Sequence, residues 1–183
     1  MDHAETYLKD LQHALAVLDL DQIKKARQAL SEARAEGKQV FVCGNGGSAS
    51  TASHLATDLG KGASQASAEA FKVMSLTDNI AWITALANDM SYEHVFVEQL
   101  RNFAQKGDVL LAISASGNSP NVIKAVEFAK ERGLTTLGWT GFDGGCLALL
   151  VDLPIVVDSH HMGRVEDVHI VLMHLVCYYF MES

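Results

Sequence analysis

Positive charge is scarce in this sequence: 14 Lys and Arg stand against 22 Asp and Glu, a net charge of −8. Non-specific nucleic-acid binding depends on clustered Lys and Arg meeting phosphates, so this balance argues against that class. One phosphate stays within reach, because the free N–H groups of a helix N-terminus can hold an anion locally. Cysteine is scarce as well. Cys43, Cys146 and Cys177 lie far apart and form no CxxC pair, a pattern that fits a reducing compartment better than a disulfide framework. No uninterrupted apolar run reaches the ~18 residues of a membrane span. Residues 1–30 are amphipathic and studded with charge, without the basic-then-apolar order of a secretion signal. A cytoplasmic, soluble protein with neither a nucleic-acid nor a membrane partner is therefore expected. No Gly-Lys-Ser/Thr follows a glycine loop and no GxGxxG occurs, so no nucleotide cofactor is expected. Internal repeats, low-complexity segments and linkers are also lacking, which leaves one domain over residues 1–183.

Apolar residues, by contrast, are plentiful. They make up 49% of the chain, and mean hydropathy lies just above zero. Such a surplus is easiest to place if part of it is buried between subunits. Leu8, Leu11, Leu15, Leu18, Ile23, Ala26 and Leu30 recur at helical spacing, which predicts two helices over residues 3–36, the second capped by Asp19 or Asp21 and stopped by Gly37. Short runs rich in β-branched residues predict strands at 39–43, 71–76, 109–113, 135–139 and 154–157. Helices are expected between them at 49–59, 80–88, 93–105, 121–132 and 146–150, with a long terminal helix over 163–181. Residues 60–69, rich in Gly, Ala and Ser, read as a mobile loop. Near-continuously apolar strands alternating with helices predict an α/β fold: a three-layer, doubly wound parallel sheet flanked by helices, with an N-terminal helical extension. Ligands of such sheets bind beyond the carboxyl ends of the strands.

Two loops follow strands at that end. The first is Gly44-Asn45-Gly46-Gly47-Ser48, where missing Cβ atoms permit close approach and the following helix offers free N–H groups. The second, Ser114-Ala115-Ser116-Gly117-Asn118-Ser119, combines three hydroxyls with a helix start, a suitable cradle for a phosphate or for sugar hydroxyls. Each loop taken singly is equally well a capped turn; the two together favour a ligand. Among ionisable residues, His54 and Asp58 share a helix face at i,i+4 spacing. His174 sits among Leu172, Met173, Leu175 and Val176, where burial and a hydrogen-bond partner are expected. Glu166 lies on the same side of the terminal helix as His174; a surface pair and a core histidine are the plainer readings, and a divalent metal such as zinc held by the two His and two carboxylates is a further one. His169 and Asp167 suit a ligand or a neighbouring subunit, and Cys43 reads as a packed strand residue.

Over nearly its whole length the sequence resembles the sugar isomerase (SIS) domain family and, within it, is similar to the phosphoheptose isomerases. The resemblance is carried by CGNGGSASTASHLATDL, ITALANDMSYEHVF, GDVLLAISASGNSPNVIKAVEFAKERG, LGWTGFDGG and VEDVHIVLMHLV. It implies phosphate binding by Ser114, Ser116 and Ser119, and a sugar lined by Asn45, Gly46, Gly47 and Ser48, with Asp89 and Glu166 as further substrate contacts. Asp58 and His174 match the family's catalytic pair. His54, Asp58, Glu166 and His174 match four side chains that hold one zinc ion per subunit in some members. Fold and assembly are implied too: a homotetramer with sites at subunit interfaces, in which residues 1–36 take part.

Departures from the family pattern accompany these matches. Asp58 replaces a glutamate and Glu166 a glutamine. Gly62 stands in place of an arginine, Ala115 of a threonine and Gly163 of an acidic residue. The activity implied is isomerisation of sedoheptulose 7-phosphate to an aldoheptose 7-phosphate through an enediol. The alternative is a non-catalytic phosphosugar-binding protein or replication-initiator-associated adaptor, a class that lacks the acid and the final histidine.

Overall fold

The computed structural model describes residues 2–67 and 69–182. Helices α1 (His3–Ala16) and α2 (Leu20–Ala35) come first, then β1 (Gln39–Gly44) and α3 (Gly47–Thr57), which continues into a π-helical turn (Asp58–Ala63). Strand β2 (Lys72–Ser75), α4 (Ile80–Asp89), a short 3₁₀ turn (Tyr92–His94), α5 (Val97–Phe103) and β3 (Val109–Ile113) follow. The chain ends with α6 (Pro120–Glu131), β4 (Thr135–Thr140), α7 (Gly145–Leu150), β5 (Leu153–Val156) and α8 (Met162–Glu182). Asp19 is the cap of α2, its Oδ1 accepting from the N–H groups of Asp21 and Gln22 at 3.0 Å. Asp21 instead pairs with Lys24.

The five strands are all parallel, in the order β2-β1-β3-β4-β5. Alternate residues serve opposite faces. Val40, Val42, Val109, Leu111 and Ile113 pack with α2, α3 and α8, whereas Phe41, Cys43, Leu110 and Ala112 pack with α5, α6 and α7. This double burial accounts for the unbroken apolar strands. From β1 the chain crosses one face through α3 to β2, then returns along the other face to β3. The reversal makes the β1/β3 boundary the topological switch point, where the loops leaving two neighbouring strands diverge and leave a crevice.

Three expectations need correction. Residues 60–69 are not a loose loop as a whole: the π turn runs to Ala63, because Leu59 and Ala63 are fully buried and hold the backbone down. Arg34 ties the following stretch by donating to the carbonyls of Glu69 and Ala63; Ala68 lies outside the described residues. The helix expected at 93–105 is broken between the 3₁₀ turn and α5. Val95, Phe96 and Val97 are all buried, and three consecutive residues of a regular helix point in three directions. The helix expected at 49–59 begins two residues earlier, at Gly47, and its regular part ends at Thr57.

Candidate active site

The glycine loop after β1 and the serine loop after β3 stand side by side at the switch point, since Gly44 and Ile113 are register partners. Between them lies a cavity of about 300 Å³ lined by both loops (Asn45 to Ser48, Ser114 to Ser116, and Ser119) with Met162 and Glu166 of α8. The resemblance-based positions Asn45, Gly46, Gly47, Ser48, Ser114, Ser116, Ser119 and Glu166 thus converge on one space. Asp89 does not: it is exposed at the end of α4 and accepts from Asn88 at 2.8 Å.

The serine loop is held from several sides. Ser114 Oγ and Ser119 Oγ are 3.1 Å apart, and the Ser114 N–H donates to the Trp139 carbonyl. Asn118 receives the Cys146 N–H at 3.0 Å and donates to the Ser116 carbonyl. Ser119 is the N-cap residue of α6, with Pro120 opening the helix, so the cradle faces the positive end of a 12-residue helix. The 11-residue α3 brings a second such end beside Gly46 and Gly47. Among the described residues no Lys or Arg lines the cavity; the attraction these residues offer an anion comes from backbone dipoles.

Asn45 is fixed by two residues that sequence reasoning missed. Its side-chain amide exchanges hydrogen bonds with that of buried Asn121, 2.9 Å from Asn45 Nδ2 to Oδ1 and 2.8 Å in return. Tyr92 Oη also donates to Asn45 Oδ1 at 3.0 Å. Each amide nitrogen carries two protons, so one N–H of Asn45 remains for a ligand. Asn121 was detectable as a polar residue in the first turn of the helix after the serine loop. No local signal connects Tyr92 to Asn45.

A second group lies farther along α3 and α8. His54 Nε2 is 3.5 Å from Asp58 Oδ2, and the His54 ring meets that of His174 edge-on, 5.2 Å between centroids. Ligand atoms of His54, Asp58 and His174 all lie within 4.8 Å of one another. Glu166, the fourth expected ligand, is not in this cluster. Its carboxylate rests on the start of α3, where a Cβ on Gly47 would come within 2.7 Å of Oε1. Cys177 packs behind the cluster; burial first, then the charge of Asp58, pushes its thiol up to about 12. Cys43 is likewise raised to about 12 by burial, which makes it an inert strand residue.

The histidines exchange their expected places. His174 is only half-buried, on a surface with Val171, Leu175, Tyr178 and Tyr179. The core histidine is His169, 1% exposed, whose Nε2 lies 3.2 Å from the Thr140 carbonyl. Burial lowers its pKa to about 4, opposed by that hydrogen bond. Asp167 accepts from Tyr7 Oη at 2.6 Å, joining α8 to α1.

Comparison with known proteins agrees with this geometry. Residues 5–141 match the SIS domain family. The phosphoheptose isomerase of Clostridium acetobutylicum is 38% identical over 173 residues, covering 94% of this chain and 85% of that one. That of Helicobacter pylori strain P12 is 38% identical over 175 residues, 96% and 88% of the two chains. A solved phosphoheptose isomerase from Neisseria gonorrhoeae superposes with a TM-score of 0.87 at 32% identity, covering 99% of this chain and 96% of that one. The corresponding structure from Francisella tularensis gives a TM-score of 0.91 at 26% identity, covering 99% and 95%. The two loops at the β1/β3 switch point and the match along nearly the whole chain place this protein in the SIS domain family, among the phosphoheptose isomerases.

Proposed function

We propose that this protein is a phosphosugar aldose–ketose isomerase of heptose biosynthesis, interconverting sedoheptulose 7-phosphate and D-glycero-D-manno-heptose 7-phosphate. The observation that carries the reading is the pairing of two sites: an anion cradle at the switch point, and an acid–base group of His54, Asp58 and His174 farther along the same two helices. The phosphate sits in the serine loop against the N-terminus of α6, with Ser114, Ser116 and Ser119 as its hydroxyl partners. Asn45 and the glycine loop hold the sugar, so its carbonyl end extends along α8. One of Asp58 and His174 takes the proton from the carbon next to the carbonyl, giving the enediol. The proton then returns to the neighbouring carbon while the hydroxyl proton moves to the other oxygen. Positioned general acid–base groups contribute roughly 10²–10⁴-fold to such a step.

Two imidazoles and one carboxylate are a donor set that suits zinc with a coordination position left open. His54, Asp58 and His174 are the residues to hold it, and when bound the ion supplies Lewis-acid polarisation of the carbonyl. Ionisable groups at positions 58 and 174 favour the enzyme over a non-catalytic adaptor. A homotetramer in the cytoplasm completes the reading, with helices α1 and α2 contributing to assembly.

The deciding experiment is an NMR assay of the purified protein with sedoheptulose 7-phosphate, with and without added zinc. Formation of the aldoheptose 7-phosphate is expected, and any zinc dependence separates a ligand role of Asp58 and His174 from a purely acid–base one. If no conversion occurs under either condition, the isomerase reading fails.

A further inference from the structure

Asn45 and Asn121 face each other as a closed amide pair in which both side-chain oxygens are fully used. Asn121 Oδ1 accepts from Asn45 Nδ2 at 2.9 Å and from the Val122 N–H of α6 at 3.0 Å. Asn45 Oδ1 accepts from Asn121 Nδ2 at 2.8 Å and from Tyr92 Oη at 3.0 Å. An amide oxygen has two lone pairs, so neither has room for a further donor. The polarity of the set is decided at its inner end. A backbone N–H can only donate, so Val122 holds the oxygen of buried Asn121 toward itself, and Asn121 must then turn its NH₂ to the Asn45 oxygen. Turning the Asn45 amide over would set NH₂ against NH₂ and oxygen against oxygen. Tyr92 adds its hydroxyl from outside, on a 3₁₀ turn that packs against α6, where Glu93 pairs with Lys124 at 3.0 Å.

We propose that Asn121 and Tyr92 are positioning residues that fix Asn45 as a hydrogen-bond donor toward the sugar. This inference rests on the phosphosugar reading above. With both lone pairs of its oxygen taken, Asn45 offers the cavity only its second N–H, which has no partner among the described residues. A sugar hydroxyl meets that N–H with its oxygen. Asn121 sets the polarity and Tyr92 reinforces it, because a phenol hydroxyl can donate or accept and would tolerate either amide orientation by itself. Helix α6 thus governs both ends of the ligand, with Ser119 in the phosphate cradle and Asn121 two residues on. Fixing the amide before the ligand arrives removes an ordering cost from binding.

A double-mutant cycle tests the idea with two probes. One is D-glucitol 6-phosphate, an open-chain ester that has no carbonyl and cannot turn over; the other is inorganic phosphate, which lacks the sugar. NMR titration should show Tyr92→Phe weakening the ester about fivefold and Asn121→Leu at least about tenfold, as expected for one and for two neutral hydrogen bonds. Inorganic phosphate should change by less than about twofold in both. In an Asn45→Ala background the same two substitutions should alter ester affinity by less than about twofold, because they act only through Asn45. Effects that persist undiminished in that background overturn the proposal. So does wild-type affinity in Tyr92→Phe, which removes one exposed hydroxyl and decides the matter even if Asn121→Leu does not fold. An equal loss of inorganic phosphate overturns it too, since the disturbance would then lie in the serine loop. A wild-type protein that binds the ester no more tightly than inorganic phosphate removes the phosphosugar reading along with it.

Discussion

His169 and His174 are five residues apart on α8, about 140° around the helix axis at ~100° per residue, and this angle separates structure from chemistry. Val165, Val168, Leu172, Met173, Val176, Cys177 and Phe180 form the buried stripe, and His169 lies inside it. Its Nε2–H donates to the Thr140 carbonyl, and Nδ1, buried with no partner among the described residues, is the nitrogen at which burial opposes a second proton. An unfolded histidine binds a proton below its ordinary 6.5, whereas His169 in the fold does so only near 4. Between those values the unfolded chain holds more protons. His169 should therefore lower stability as pH falls from 6.5 to 4, by about 1.4 kcal/mol per pH unit, with little further change below. Urea unfolding at stepped pH should show a shallower loss in His169→Gln; equal slopes would remove the assignment. The helical period alone puts His169 in the stripe and His174 at its margin, since the packing neighbours of a helical residue lie at i±3 and i±4. Immediate sequence neighbours suggest the opposite and mislead. At His174 and Asp58 the expectation is chemical. His174→Ala and Asp58→Ala should each lower turnover at least about 10²-fold while phosphosugar binding, measured by calorimetry, stays largely intact. Retained activity in both variants would sink the acid–base assignment.

At the scale of elements, the serine loop and the turn before α7 work as one unit. Gly117 has φ of +66°, and a Cβ there would fall 2.1 Å from the Gly144 carbonyl oxygen, backbone that cannot swing aside. The Leu147 N–H donates to the Gly117 carbonyl across the same junction. Gly117→Ala should thus combine backbone strain with a steric clash, destabilise the fold by more than about 2 kcal/mol and weaken phosphosugar binding, as thermal melts and titration would show. A loss no larger than the ~1–2 kcal/mol that a left-handed backbone costs a residue with a Cβ would mean that the loops move independently. Elements defined by local chemistry were legible: the capped α2, the five apolar strands, and the two loops with their hydroxyls and glycines. The π turn and the break before α5 were not, because burial of Leu59 and Ala63, and of Val95 to Val97, is decided by partners distant in sequence. For the same reason the Asn45–Asn121–Tyr92 contact was hidden, although each residue stands in plain view.

For the molecule as a whole, the surface beside the His54–Asp58–His174 group carries a consequence for assembly. Val171, Leu175, Tyr178 and Tyr179 are each between 36% and 48% exposed along α8, next to Arg27 of α2. A turn-by-turn apolar strip of this kind is what a subunit contact covers. In sedimentation equilibrium the protein is expected at four times the 19.8 kDa of one chain, and Leu175→Glu should shift it toward smaller species. A wild-type monomer would refute the tetramer. Among the described residues no helix is long and apolar enough to cross a membrane.

The switch point also fixes when a binding site can first exist. The glycine loop is made early, but its neighbouring strand begins only at Val109, and Glu166 and His174 belong to the last helix. A growing chain that has reached Gln105 holds one wall of the cavity and nothing to close it. Strand β1 must keep one edge open until β3 arrives from beyond α5, so the central pairing of the sheet is a late, long-range event. The phosphosugar can then favour only the final docking of the two halves, and it offers no help to a chain cut short of α8.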